Sequence, residues 1–311
     1  MPPDDDGVAA GPPEHGVPES AVLPATTAPT ALPGLLNLRR INDNRVGEWR
    51  GPAEEPELGR IPSPERSGDE VYLARRLADV AEVAVRVYGR RVNALRDRRR
   101  YEQETDAIMG IASLPYVVPI HEAGITLDGR AYLVMDFCPS GSLHDHLVTV
   151  GRFTPLEARR IGSKLAGALD RVHEAGVVHR NLKPSNVLID RHGEPALADF
   201  GLVTLSVSDG DFGPPLPPRP RPFLAPEAYL PELMSPAADV YALGATLYTM
   251  LAGWAPRTVD PLAIAVDGET LADLPKVPYA LMSIVRKAMA IDPRDRYPDA
   301  MEFQAALAGA D

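Results

Sequence analysis

Val178-His179-Arg180-Asn181-Leu182-Lys183-Pro184-Ser185-Asn186-Val187-Leu188, followed by Ala198-Asp199-Phe200-Gly201, is the stretch on which the reading of this chain turns. Val187 to Asp190 reads as a strand, Arg191-His192-Gly193 as a turn, and Pro195 to Ala198 as the return strand. A hairpin of that length brings Asn186 and Asp199 together at its open end. Their two side-chain oxygens then face one point.

These residues resemble the catalytic loop H-R-D-L-K-x-x-N and the D-F-G motif of bacterial eukaryotic-type (Hanks-type) Ser/Thr protein kinases. The resemblance implies an α+β, bilobal protein-kinase-like fold, with a small β-rich N-lobe and a larger helical C-lobe. It also implies ATP and Mg²⁺ as cofactors, with Asn186 and Asp199 as the metal ligands. One position departs: Asn181 stands where the family has its catalytic Asp. An Asn amide takes no proton near neutral pH.

Further motifs extend the resemblance along the chain. Val71-Tyr72-Leu73-Ala74 and Val83-Ala84-Val85-Arg86-Val87-Tyr88 read as paired strands, similar to the family's second and third strands. A charged helical segment over 93–112 carries Glu104, which matches the glutamate that pairs with the third-strand lysine. Ala131 to Asp136 resembles the fifth strand, with Met135 at the gatekeeper position, and Phe137-Cys138-Pro139 the hinge. Thr154-Pro155-Leu156-Glu157 is a capping box that opens a helix with Leu165, Leu169 and Val172 at helical spacing, and Gly176 stops it. Leu224-Ala225-Pro226-Glu227 matches A-P-E. Asp239 to Gly244 matches D-x-Y-S-L-G, and Asp292 to Arg296 matches D-P-x-x-R. The domain is placed at 56–311, divided into an N-lobe (56–138) and a C-lobe (139–311).

Residues 1–55 are read as a disordered Pro/Ala-rich tail, because they lack the apolar side chains to offset their ordering entropy. The patch Leu32 to Leu38 is the exception, able to dock on the domain or on a partner. The 311-residue chain carries a formal net charge of −11, which argues against nucleic-acid or anionic-membrane partners. Its one cysteine, Cys138, provides no disulfide framework and suits a reducing cytoplasm. No apolar run reaches the ~18 residues that a membrane span needs, and the start, Met1 to Asp6, lacks the basic and apolar parts of a signal peptide.

The matching positions fall into two groups. Glu227 and Arg296 are expected to form a buried ion pair, Asp239 to hold the backbone of the 178–188 loop, and Ile108, His179 and Phe200 to join the lobes. The chemical group is eroded. Pro62-Ser63-Pro64-Glu65-Arg66-Ser67-Gly68-Asp69 replaces the G-x-G-x-x-G loop, so backbone donors and flexibility are lost and Glu65 and Asp69 add negative charge. Arg86 replaces the third-strand lysine and is expected to pair with Glu104. The swap is not conservative at a phosphate-contacting position.

The resemblance implies nucleotide contacts from Val71, Ala84, Arg86, Glu104, Met135, Asp136, Cys138 and Leu188, with Lys183 touching the γ-phosphate. A positioned general base is worth roughly 10²–10⁴-fold, and Asn181 forfeits it. The activation segment is also odd: a proline run over 213–222, preceded by Thr204, Ser206 and Ser208, favours polyproline II. The reading is a pseudokinase that regulates or scaffolds a protein partner, such as an active kinase or a biosynthetic enzyme. The alternative is a divergent but active Ser/Thr kinase.

Overall fold

The computed structural model describes residues 32, 35–40, 69–92, 94–202, 221–229, 234–256 and 271–310. The expectations for the 62–68 stretch, for Thr204, Ser206 and Ser208, and for prolines 214–220 lie outside the described residues.

Five antiparallel strands form one sheet: β1 (Leu35–Arg40), β2 (Glu70–Arg76), β3 (Glu82–Arg91), β4 (Ile120–Ile125) and β5 (Arg130–Asp136), in the order β1-β2-β3-β5-β4. The alternation along β3 decides which side chains face inward. Val83, Val85 and Val87 are fully buried on one face, against Tyr72, Ala74, Tyr132, Val134 and Leu32. Ala84, Arg86 and Tyr88 therefore point to the other face. Register carries this across the sheet: Val71 lies opposite Arg86, and Met135 opposite Ala84.

The expected tail boundary needs correction. Leu35–Arg40 pairs with β2, from Leu35 opposite Arg76 to Arg40 opposite Tyr72. Leu32, only 5% exposed, closes the valine face. Burial of that leucine and the strand pairing anchor Leu35–Arg40 to the sheet, inside the stretch expected to be tail.

Helix α1 (Leu95–Gly110) packs beside the sheet through Tyr101, Thr105 and Ile108. The helical half contains α2 (Leu143–Val150), α3 (Pro155–Glu174), α4 (Pro236–Ala252), α5 (Tyr279–Ala288) and α6 (Ala300–Ala308). The capping box at Thr154 is present, with both reciprocal bonds to Glu157. Leu165, Leu169 and Val172 are fully buried, and Gly176 turns the chain at φ +76°. Helix α4 is buried on all sides from Ala238 to Ala252, as its near-continuous apolar sequence requires of a central helix. The hairpin β6 (Val187–Ile189) and β7 (Pro195–Leu197) pairs Val187 with Leu197, and Asp190 caps its turn through the amides of His192 and Glu194.

Candidate functional site

The loop between α3 and β6 is held from below. The Asp239 carboxylate accepts hydrogen bonds from the amides of His179 (2.7 Å) and Arg180 (2.9 Å), and His173 Nε2 lies 2.9 Å away. The His179 ring stacks on Phe200 with centroids 4.4 Å apart, and Phe200 and Ile108 are buried in the same core. Burial holds the His179 pKa below its ordinary value, so the ring stays neutral in this stack. Glu227 receives both guanidinium arms of Arg296, at 2.6 and 2.8 Å. The three framework expectations therefore match the geometry.

Arg180 and Asp199 both have positive φ, +64° and +60°. For residues with a side chain this costs on the order of 1–3 kcal/mol each, and it persists only where the surroundings enforce it. Here the enforcing contacts are visible. Gly201 N donates to the His179 carbonyl at 2.8 Å, and Ala198 N to that of Asn186 at 2.9 Å. Asn186 Nδ2 donates to the Asn181 carbonyl at 2.7 Å. The hairpin thus brings Asn181, Asn186 and Asp199 together.

The Asp199 carboxylate already has partners. Arg86 Nη1 lies 2.7 Å from Oδ1, and Asn181 Nδ2 donates to Oδ2 at 2.9 Å. The other arm of Arg86, Nη2, lies 2.7 Å from Asp69 Oδ2, while Asp69 Oδ1 accepts from Gly89 N at 2.9 Å. Burial opposes the Arg86 charge, but Asp199, Tyr88 and Asp69 together outweigh it and hold its pKa above the usual arginine value. The expected Arg86–Glu104 pair is not formed: Glu104 takes Arg100 at 3.2 Å, one turn away on its own helix. The physical reason is that two carboxylates, one on either side of the cleft, already use both arms of the guanidinium.

This arrangement does not fit Mg²⁺. Both Asp199 oxygens accept donors, and a guanidinium stands where a second cation would be repelled. Among the described residues no group of three or more His, Cys, Asp or Glu is placed to hold a metal ion.

Of the expected nucleotide-contacting residues, Val71, Ala84, Arg86 and Met135 share the inner sheet face. Leu188 and Cys138 pack against the main core, and burial raises the Cys138 thiol to about 11. Asp136 lies opposite Val83 on the outer face. Its carboxylate is held there by His121 Nε2 at 2.6 Å and Arg191 Nη2 at 3.1 Å. Lys183 is half-buried at the start of a short turn over Pro184–Asn186.

The residue whose role the sequence reading missed is Asp69, taken there only as added negative charge. A signal was available. In G-x-G-x-x-G-x-V the third glycine stands two residues before the valine, and with Val71 as that valine the position is Asp69.

A family model described as protein kinase domain matches residues 67–303. The chain is 31% identical over 268 residues to the serine/threonine-protein kinase PknH of Mycobacterium tuberculosis, covering 83% of this chain and 42% of that protein. It is 32% identical over 205 residues to PknK of Mycobacterium bovis, covering 63% of this chain and 18% of that protein. The chain thus spans less than half the length of these curated relatives. Among solved structures, the Mycobacterium tuberculosis PknI kinase domain aligns with a TM-score of 0.60 at 26% identity, covering 78% of this chain and 91% of that one.

Proposed function

The chain belongs to the protein kinase family, and from that premise we propose that it acts through protein contacts, with phosphotransfer lost or very weak. The observation that carries this reading is the occupied Asp199 carboxylate, closed off by Arg86 and Asn181. Asn181 adds to it, since an amide at that position accepts no proton from a substrate hydroxyl. The intact framework supports a folded, specific surface: Glu227–Arg296, Asp239 under the loop and the His179–Phe200 stack. A regulatory or scaffolding role toward a protein partner, such as an active kinase or a biosynthetic enzyme, follows from a fold maintained without its chemistry.

The competing reading, a divergent active Ser/Thr kinase, draws on Lys183 and on Asn186, whose amide still braces the loop at the Asn181 carbonyl. Phosphoryl transfer depends largely on positioning and electrostatics, so these residues give that reading its content. One assay separates the two. The purified chain is incubated with γ-labelled ATP, Mg²⁺ and a generic protein substrate, beside Asp199→Ala. Equal background labelling is expected from both. Labelling well above background that disappears in Asp199→Ala would overturn the proposal.

A further inference from the structure

We propose that Asp69 and Arg86 form a built-in stand-in for the phosphate and metal of a nucleotide, joining the sheet to the helical half with no ligand bound. This deepens the reading above and rests on it. Three observations carry the inference.

Asp69 occupies the third-glycine position, where the backbone of an active relative approaches a phosphate. Its carboxylate is an anion fixed in place by Gly89 N and held 2.7 Å from Arg86. The third-strand cation normally pairs with the α/β-phosphates; here its anion is a side chain of the same protein. On the far side Arg86 meets Asp199 at 2.7 Å, the carboxylate that would otherwise face the metal. Asn181 completes the set by donating to the second Asp199 oxygen. A carboxylate at 181 would repel it.

The stand-in explains why the third-strand residue is Arg and not Lys. A guanidinium offers two arms in one plane and can bridge two carboxylates, whereas an ammonium is a compact point charge on a flexible stem. The three departures from the family pattern at 69, 86 and 181 thus become parts of one device.

The test uses the full chain, with hydrogen exchange read over β3 and over 187–199, and with thermal shift. Wild type is expected to show the same exchange and the same Tm with and without 1 mM ATP and Mg²⁺. In Asp69→Asn and in Asp69→Gly/Arg86→Lys, exchange in both segments should rise at least tenfold without ligand. The double variant should recover part of that protection, and gain Tm, when ATP and Mg²⁺ are added. Exchange in Asp69→Asn indistinguishable from wild type would overturn the inference, as would a wild-type response to ATP and Mg²⁺ equal to that of the double variant. Asp69→Asn preserves side-chain shape, so it remains decisive if the double variant does not fold. The labelling assay reports separately: silent wild type with unchanged exchange in the variants sinks the stand-in alone, whereas labelling by wild type sinks the functional reading.

Discussion

Asn181→Asp restores the family residue and should make the protein less stable. The substitution replaces a donor 2.9 Å from Asp199 Oδ2 with a second carboxylate. At an effective dielectric of about 20, two like charges at this separation repel by about 6 kcal/mol. Attraction of the new carboxylate to Arg86 returns about half of that. The lost amide–carboxylate hydrogen bond adds about 1.5 kcal/mol, and side-chain relaxation removes a similar amount, leaving a net loss of about 2–4 kcal/mol. For a domain of this size that corresponds to a fall in Tm of roughly 5–15 °C. The effect has a pH signature. Like-charge crowding raises the folded-state pKa of the carboxylate pair above the unfolded value near 4. The penalty is therefore small at pH near 4, grows as pH rises through the raised pKa, and is complete at pH 8. Thermal melts of variant and wild type, compared at each pH from 5 to 8, provide the measurement. A variant as stable as wild type at pH 8, with a pH-independent difference, would refute the occupied-carboxylate argument.

Other perturbations probe the framework. Glu227→Gln strands the Arg296 guanidinium, whose side chain is fully buried, and should cost about 3–5 kcal/mol by urea unfolding. Arg296→Met leaves Glu227, which is 15% exposed and can rehydrate, so it should cost less; the reverse order would contradict the assignment. Leu32→Ala should cost about 2–3 kcal/mol if residue 32 closes the valine face as described, and a loss below about 0.5 kcal/mol would mean that the segment does not dock. Burial depresses the pKa of both His179 and His144. Their contribution to stability is present above pH ~6.5 and declines as pH falls below it, because the unfolded chain takes up the protons first. Urea titrations at pH 7.5 and 5.5 should show the loss, and His179→Phe should reduce it.

The framework was legible because its motifs are local or rigidly spaced. The 178–201 stretch encodes its own hairpin, the Thr154 capping box its own helix start, and Glu227 and Arg296 are each recognisable where they stand. The site was less legible because its decisive contacts are made across the cleft. Glu104 and Arg86 were paired by analogy, but the strand alternation that aims Arg86 inward says nothing about which carboxylate it will meet. Asp69 wins because it lies one strand away, beside the Val71–Arg86 register, and Asp199 because the hairpin delivers it to the other arm. The outer clasp of Asp136 by His121 and Arg191 joins three separate elements, and no spacing rule connects them. Strand β1 was hidden by 29 residues between Arg40 and Glu70, a separation at which a short apolar patch in proline-rich surroundings carries no pairing signal.

That first strand matters for anyone shortening the protein. A fragment cut at residue 67, where the family match begins, would lose Leu35–Arg40 and leave a row of β2 backbone donors and acceptors facing solvent. An uncovered sheet border of this kind is a template for another chain. Dimers or aggregates of such a fragment would then reflect the cut itself and say nothing about how the intact chain assembles.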